Sequence, residues 1–388
     1  MSDCIFTLMQ RLPKKLTQRI KGRHNDASFR RLKNPLGLVD FSSNDYLGFA
    51  RSSQLSQRAT ELSMQAESSV NGATGSRLLS GNHALYQQAE SLVANSFRAD
   101  RALIYNSGYD ANIGLLSAVP QRGDVVLYDE LVHASIRDGL LMSRAKNIKF
   151  RHNDLGHLAS LLERFDEQEV YVVTESVFSM DGDMPDLSEL TGLCHRFNAR
   201  LVLDEAHAIG FTKAGLACEL GLEGQVFARI ITFGKALGCH GAAVLGSEDL
   251  IEFLINFSRS FIYTTALPPH SLACIIAATE LLNAETGTSA IESLHRNIGS
   301  FRAKISQTSV DSQFSISKTA IQAFRCRGNT EALSLSKLLE SHGLDVRPIR
   351  YPTVPRGMER LRIVLHSFNT EEQIDLLVNS LINAGKNN

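Results

Sequence analysis

Ile230-Ile-Thr-Phe-Gly-Lys-Ala-Leu-Gly-Cys-His-Gly-Ala-Ala-Val244 is the stretch around which the sequence is organised. Its pattern predicts a short buried strand that breaks at Gly234, presents Lys235, and passes through two more glycines into a second apolar run. Burial disfavours the charged form of a lysine and lowers its pKa, so that its amine can attack a carbonyl group. The alternative is a surface lysine in a glycine-rich turn, and the rest of the chain decides between the two.

Length and composition are those of an ordinary soluble globular protein. The chain has 388 residues, enough for one large domain and a smaller one, with hydrophobic and charged fractions of 43% and 21%. A net charge of -1 gives no global attraction for nucleic acid or a membrane surface. No run of about 18 apolar residues occurs, and the N-terminal apolar run is too short for a signal peptide. We therefore expect a cytoplasmic protein.

The cysteine and histidine patterns do not match the common metal sites. The six cysteines are widely spaced and include no C-x-x-C pair, so we expect reduced thiols. There is no H-E-x-x-H motif, and the adjacent Cys239 and His240 cannot supply a ligand set alone. We therefore expect no metal.

Short apolar runs alternate with helix-like segments through the middle of the chain. The runs cover residues 102–105, 125–128, 170–173, 201–203, 230–232 and 242–245. Strand and helix in alternation predict an α/β fold with a mostly parallel sheet covered on both faces. Ligands of such sheets bind beyond the carboxyl ends of the strands, so the polar residues that follow each run are the candidates.

The chain divides into three predicted parts. Residues 1–45 form a helical arm, residues 46–285 the large α/β domain, and residues 286–388 a smaller α+β domain. Scattered bases in the arm, from Arg11 to Lys33, predict one or two amphipathic helices packed on the body, with a polyphosphate or acidic-partner site as the alternative.

Four predicted strand ends carry chemistry. Asn106-Ser-Gly-Tyr109 leads into an apolar helix whose free amides suit a phosphate, although this is also a common turn. His133 follows the second run and could stack on a flat cofactor or be an ordinary loop residue. Glu175 follows the third run.

Asp204-Glu-Ala-His207 follows the fourth run. A buried strand-end Asp needs a cationic or N–H partner, and a pyridinium would serve, with His207 reaching a ring substituent. The same four letters form the acidic box of some helicases. That machinery needs a G-x-x-x-x-G-K-[ST] loop, which the chain lacks, so the helicase interpretation is excluded.

Further motifs are distributed over most of the chain. They are Phe41-Ser-Ser-Asn-Asp-Tyr-Leu-Gly48, Gly75-Ser-Arg-Leu-Leu-Ser-Gly-Asn82, Thr232-Phe-Gly-Lys-Ala-Leu-Gly238, Pro352-Thr-Val-Pro355 with Arg360-Leu-Arg362, and a basic pair on a predicted helix, Phe29-Arg-Arg-Leu32. With them the sequence resembles the α-oxoamine synthases. The resemblance implies the type I fold of pyridoxal-phosphate (PLP)-dependent transferases, with a mostly parallel central sheet covered by helices and a smaller α+β C-terminal domain.

The resemblance implies a role for each candidate. Lys235 would hold PLP covalently, Asp204 would pair with the pyridinium, His207 would contact the ring oxygen and His133 would stack on the ring. The other residues implied around the cofactor are Ser107, Gly108, Tyr109, Glu175, Ser179 and Thr232. Thr264 or Thr265 would reach the phosphate of a neighbouring subunit, which implies a homodimer with active sites at the subunit interface.

The resemblance also implies the substrates. Asn44 and Arg362 would hold an amino-acid carboxylate beside His133, with Thr353 and Arg30 on the acyl side. The implied reaction condenses L-alanine with a pimeloyl thioester, carried by coenzyme A or an acyl carrier protein, with loss of carbon dioxide and thiol, in biotin biosynthesis. The alternatives are a related synthase that uses glycine and acetyl-CoA, an aminotransferase, and a non-catalytic partner subunit, against which Lys235 and Asp204 together argue.

Overall fold

A seven-stranded sheet forms the centre of the molecule. The computed structural model describes residues 12–32, 37–65 and 70–386. The strands of this sheet are β2 (Arg101–Tyr105), β3 (Val125–Asp129), β4 (Lys146–Phe150), β5 (Val170–Glu175), β6 (Arg200–Asp204), β7 (Ala228–Thr232) and β8 (Ala242–Gly246). They lie in the order β2-β8-β7-β6-β5-β3-β4, with β8 antiparallel to both neighbours and every other pair parallel. The prediction of a mostly parallel α/β sheet is confirmed.

Helices cover both faces of this sheet. The helices of the described chain are α1 (Lys14–Asn25), α2 (Ser53–Gln65), α3 (Ala84–Ser96), α4 (Gly108–Ala118), α5 (Ala134–Met142), α6 (Leu155–Arg164), α7 (Leu187–Arg196), α8 (Leu216–Glu219), α9 (Glu248–Phe257), α10 (Arg259–Ile262), α11 (Pro269–Asn283), α12 (Glu285–Ile305), α13 (Asn329–Ser341) and α14 (Glu371–Lys386). Side chains alternate across each strand. In β7, Ile230 accordingly packs on the side of α4, α5 and α9, and Ile231 on the side of α2, α3 and α11.

One strand of the sheet was not predicted from the sequence. β4 (Lys146–Phe150) reads Lys-Asn-Ile-Lys-Phe, and only Phe150 is buried. The strand lies at the edge of the sheet and pairs with β3 alone. An edge strand with so little apolar surface carries neither the alternation nor the apolar run by which the other strands were predicted.

Two smaller sheets lie in the C-terminal part. β9 (Ile321–Arg325), β11 (Arg347–Ile349) and β12 (Arg360–Val364) form an antiparallel sheet in the order β11-β12-β9. β1 (Val39–Asp40) pairs in parallel with β10 (Leu344–Asp345). The segment that precedes the large sheet in the chain is therefore attached to the C-terminal part.

The N-terminal helix differs from its prediction. α1 forms, but none of its residues is buried, so the expectation that it packs on the body is wrong. The chain turns at Ala27, whose φ is 51°, and residues 28–32 are not helical, which corrects the helix expected at Phe29-Arg-Arg-Leu32. Directly after α1 the chain is bonded to the C-terminal part, because Asn329 Nδ2 donates to the carbonyl oxygen of Asp26. Arg11 and Lys33 lie outside the described residues.

Two classes of site are not found in the described part of the chain. Its helices include none with the length and apolar character needed to cross a bilayer. Its His, Cys, Asp and Glu residues form no group of three or more that could hold a metal ion.

Candidate active site

A cavity of about 210 Å³ opens at the carboxyl ends of β5, β6 and β7. Its lining consists of Gly108, Tyr109, Asn112, His133, Ser135, Glu175, Asp204, Ala206, His207, Ile230, Thr232 and Lys235. Eight of the residues predicted from sequence to bind a cofactor therefore line one space. The four others predicted for it, Ser107, Ser179, Thr264 and Thr265, lie outside this lining.

Asp204 is a buried carboxylate held only by neutral donors. Its Oδ2 accepts from Asn112 Nδ2 at 2.8 Å, and its Oδ1 accepts from the backbone N–H of Ala206 at 2.9 Å. Among the described residues, no Lys, Arg or His side chain forms an ion pair with Asp204. A cationic N–H group entering the cavity would supply the partner that a buried carboxylate requires.

His207 lies three residues after Asp204 and is also buried. Its Nδ1 is hydrogen-bonded to the hydroxyl of Tyr46 at 2.6 Å. Burial, together with the positive charges of Lys235 and Arg362, lowers the pKa of His207 well below its ordinary value. The ring is therefore neutral near pH 7, held at Nδ1 by Tyr46.

Lys235 occupies the tight turn between β7 and β8. Gly238 permits this turn because its φ is +63° and a Cβ there would overlap the backbone nitrogen of Ala50. Desolvation lowers the pKa of Lys235, and the negative charges of Asp204 and Glu175 oppose the shift. The lysine is thus not a surface turn residue, and a larger share of its amine is neutral than at an exposed site.

His133 and Glu175 border the cavity on its other side. Glu175 Oε1 accepts from the backbone N–H of His133 at 2.6 Å. Burial, and next the charge of Asp204, raise the pKa of Glu175 to about 8. The ring of His133 is joined through Ser135 to Asn112, with His133 Nδ1 to Ser135 Oγ at 2.8 Å and Asn112 Nδ2 to Ser135 Oγ at 3.0 Å. Because Ser135 Oγ accepts a hydrogen bond from Asn112, the hydroxyl proton of Ser135 is free to be donated to His133 Nδ1. With Nδ1 as the acceptor, a neutral His133 ring carries its proton on Nε2.

The N-terminus of α4 closes the cavity. Ser107 caps this helix, its Oγ accepting from the backbone N–H of Asp110 at 3.1 Å. Gly108 faces Thr232, and the hydroxyl of the exposed Tyr109 donates to Asp138. The free amides of a helix start at this edge suit an anionic group.

Thr264 and Thr265 lie at the rim of the same helix start. Asn106 Nδ2 donates to Thr264 Oγ1 at 3.3 Å and to the carbonyl oxygen of Thr265 at 2.8 Å. Both threonines thus lie beside the Asn106–Tyr109 turn of their own chain. The predicted reach to a neighbouring subunit stays a prediction.

Arg362, in the middle strand of the C-terminal sheet, is buried. Its Nε donates to the carbonyl oxygen of Ser179 at 2.7 Å, and its Nη2 donates to Asn44 Oδ1 at 2.9 Å. Asn44 Oδ1 also accepts from Tyr46 at 3.3 Å, and Tyr46 leads to His207 in the cavity. No carboxylate of the described residues lies within salt-bridge distance of this guanidinium, so its charge is available to an anionic ligand beside the cavity.

Arg30 and Thr353 line a second cavity of about 830 Å³. Arg30 Nη2 donates to Thr353 Oγ1 at 2.8 Å. Arg347 and Arg350 line the same space, and the guanidinium of Arg350 donates to the carbonyl of Ala27. The two residues predicted for the acyl side therefore meet, and their surroundings are basic.

Three site residues were not predicted. Asn112 and Ser135 hold Asp204 and His133, and Tyr46 holds His207. A signal existed for Asn112, since it is a polar residue four positions after Gly108, on the same helix face, within an apolar helix. Tyr46 lies two residues after Asn44, but nothing in its local sequence shows that its hydroxyl meets the Asp204-Glu-Ala-His207 segment.

The cavity has the groups needed to hold a flat, anionic, carbonyl-bearing cofactor. Lys235 offers an amine to the carbonyl, Asp204 a buried carboxylate to a ring cation, and the start of α4 its amides to an anion. The three come from different strand ends and point at one space.

Comparison with known proteins agrees with this arrangement. The family model "Aminotransferase class I and II" matches residues 37–381. A putative 8-amino-7-oxononanoate synthase of Geobacillus kaustophilus is 41% identical over 354 residues, which are 90% of this chain and 89% of that protein. The 8-amino-7-oxononanoate synthase of Emericella nidulans is 39% identical over 368 residues, covering 89% of each chain.

The chain belongs to the 8-amino-7-oxononanoate synthase family. Solved structures support the fold of this family member over nearly its full length. A serine palmitoyltransferase from S. paucimobilis with a bound PLP adduct superposes with a TM-score of 0.86 at 25% identity, covering 96% of this chain and 97% of that one. The 8-amino-7-oxononanoate synthase of Francisella tularensis gives a TM-score of 0.75 at 27% identity, covering 90% and 98%. The type I fold predicted by resemblance is thereby confirmed.

Proposed function

We propose that this enzyme condenses L-alanine with a pimeloyl thioester to give 8-amino-7-oxononanoate, carbon dioxide and free thiol. The observation that carries the proposal is the buried guanidinium of Arg362, which has no carboxylate partner among the described residues and reaches the cavity through Asn44 and Tyr46. An α-amino acid brings the carboxylate that this guanidinium lacks. The names of the relatives give only a product, 8-amino-7-oxononanoate. We choose alanine and a pimeloyl group because that product has the carbon skeleton of alanine, less its carboxyl group, joined to a pimeloyl chain.

The cofactor is PLP, and when bound it supplies an electron sink for the charge left on the α-carbon. Lys235 would hold it, because the pKa of Lys235 is lowered and its amine faces the cavity. As a free amine, the Nζ of Lys235 would be placed to remove the α-proton of the substrate and later to return one. The buried carboxylate of Asp204 would keep a proton on the ring nitrogen of the cofactor.

The two histidines act as neutral groups. His207, its Nδ1 held by Tyr46, would present Nε2 to the ring oxygen of the cofactor. His133, its Nδ1 held by Ser135, presents a ring face and an Nε2 proton over the cavity. A neutral imidazole stacks on a cationic ring without charge repulsion.

The second cavity is proposed to hold the acyl donor. It lies between the segment that follows α1 and the C-terminal sheet, and Arg30, Arg31, Arg347 and Arg350 line it. Both coenzyme A and an acyl carrier protein present a phosphopantetheine arm, whose phosphate these guanidinium groups would attract. Thr353, already bonded to Arg30, would border the acyl chain.

A homodimer with active sites at the subunit interface is part of the proposal. Thr264 and Thr265 lie beside the Asn106–Tyr109 turn. The neighbouring Tyr263 is 72% exposed. Leu79, in the helical turn Arg77–Gly81 that packs against Ala266, is 85% exposed. Large apolar side chains exposed beside the site are suited to burial against a second subunit.

The test is a substrate matrix. L-alanine, glycine and L-serine are each combined with pimeloyl-CoA and acetyl-CoA, and thiol, carbon dioxide and the amino ketone are quantified. We expect all three products in equal amounts, fastest for L-alanine with pimeloyl-CoA. A preference for glycine with acetyl-CoA would establish the alternative synthase, and amino-group exchange without carbon dioxide would establish an aminotransferase.

A further inference from the structure

A cluster outside the cofactor cavity joins three loops through one histidine. His152, which follows β4, has Nδ1 at 3.0 Å and 3.1 Å from the two carboxylate oxygens of Asp129. Its Nε2 lies 2.7 Å from Asp183 Oδ2. Asp129 ends β3, and Asp183 belongs to the loop that follows β5. One imidazole ring therefore connects the ends of β3, β4 and β5.

The ring sits between these carboxylates as a cation. Asp129 is fully buried, and the side chains of His152 and Asp183 are 24% and 25% exposed. Both ring nitrogens face a carboxylate oxygen, so both must donate, and only the imidazolium can do so. Burial lowers the pKa of His152, but the hydrogen bonds to Asp129 and Asp183 outweigh it and raise the pKa to about 10.

The loop held by this ion pair reaches the substrate arginine. We name residues 176–183 the Ser179 loop. At one end Asp183 is bonded to His152 and to Asn153 Nδ2, the latter at 2.8 Å, and Phe178 meets the His152 ring edge to face with centroids 4.4 Å apart. Between these two points the carbonyl oxygen of Ser179 accepts from Arg362 Nε at 2.7 Å.

The opposite side of the Ser179 loop is fastened to the C-terminal part. Ser317 and Thr319 each donate to the carbonyl oxygen of Gly182 at 3.0 Å, and Asp181 pairs with Arg360. Gly182 has a φ of +73°, and a Cβ there would overlap the carbonyl oxygen of Ile321. The Ser179 loop is therefore tightly packed between the large sheet and the sheet that carries Arg362.

From this geometry we propose that His152 is a positioning residue for the amino acid, bridging Asp129 and Asp183 so that the Ser179 loop aims Arg362 at the substrate carboxylate. The proposal rests on the proposed role of Arg362 in the reaction. His152 itself does not line the cofactor cavity. Its loss leaves two carboxylates facing a neutral side chain, so the Ser179 loop shifts and Arg362 loses the acceptor that fixes its orientation.

The experiment compares His152→Gln and Asp183→Asn with the parent holoenzyme. L-alanine affinity is measured by titrating the visible absorbance of the lysine-bound cofactor, and PLP content and the KM for pimeloyl-CoA are measured alongside. Either substitution should raise the alanine Kd about tenfold, because a charge-assisted contact that orients Arg362 is lost. PLP content and the pimeloyl-CoA KM should stay within about twofold. The double variant should be no worse than the single ones, since both break one bridge.

Two controls separate this proposal from its alternatives. His195→Gln, an exposed histidine at the end of α7, should change nothing. An unchanged alanine Kd in both cluster variants would overturn the proposal. A parallel loss of PLP content, alanine affinity and pimeloyl-CoA affinity would also overturn it, because such a loss indicates general destabilisation of the fold. If Arg362→Lys also leaves alanine affinity unchanged, the proposed function fails; if only Arg362→Lys weakens it, this inference alone fails.

Discussion

Arg362→Lys tests the carboxylate site most directly. The lysine keeps the positive charge but replaces a planar guanidinium, which can donate two parallel hydrogen bonds to a carboxylate, with a single ammonium. It also gives up the contacts to Ser179 and Asn44 that fix the direction of the charge. A lost hydrogen bond to a charged group is worth about 1.5–3 kcal/mol. At 1.4 kcal/mol per tenfold, the alanine Kd should rise by roughly 10- to 150-fold.

The assay uses two amines that differ by the carboxylate alone. Each is titrated into the holoenzyme while the visible absorbance of the lysine-bound cofactor is followed. L-Alanine should bind more weakly to Arg362→Lys by the factor above, whereas ethylamine should bind parent and variant alike. Arg325→Lys, which changes an exposed arginine of the same sheet, is the matched control. An equal loss for both amines, or no loss for alanine, would refute the assignment of Arg362.

The other predictions concern the lysine, a glycine and the histidine bridge. Lys235→Ala should lower turnover by at least about 10³-fold while the circular dichroism spectrum is retained; thiol release at the parent rate would contradict its role. Gly182→Ala should cost about 2–5 kcal/mol in urea unfolding, through its φ of +73° and the overlap with Ile321, whereas Gly192→Ala, with open space at its Cβ, should cost nothing. Since the pKa of His152 is raised to about 10, its stabilisation is complete below about pH 6.5 and is lost as the pH rises through 10. The free energy of unfolding should therefore fall more steeply between pH 7 and 10 for the parent than for His152→Gln, and equal slopes would refute the bridge.

The residues that line the cavity were predictable because of a rule of parallel sheets. Glu175, Asp204 and Thr232 each end a strand, and the neighbouring carboxyl ends of β5, β6 and β7 meet at one edge. Locating the strand ends in the sequence was therefore enough to predict which side chains lie close together. Lys235 needed only this context to change from a turn residue into a site residue.

The residues that hold the cavity side chains in place were not predictable, because their contacts depend on how distant elements pack together. Ser135 and Asn112 sit on different helices, and their contact with each other depends on how those helices pack. His152 meets Asp129 and Asp183 from three separate segments of the chain, and nothing in the local sequence shows that these segments meet. The exposed α1 shows the converse error, since an amphipathic pattern predicts a helix but not what its apolar face meets.

The pairing of β1 with β10 has a consequence for engineering. The backbone N–H of Phe41 donates to the carbonyl oxygen of Asp345 at 3.1 Å, and the carbonyl oxygen of Phe41 accepts from the N–H of Val364 at 2.9 Å. The segment that carries Asn44 is therefore hydrogen-bonded to the C-terminal part, although it comes early in the chain. Asn44 and Arg362 therefore belong to the same half of the proposed carboxylate site. A chimera that takes its C-terminal part from a relative must take residues 39–46 from the same parent, because a single crossover late in the gene would separate the two.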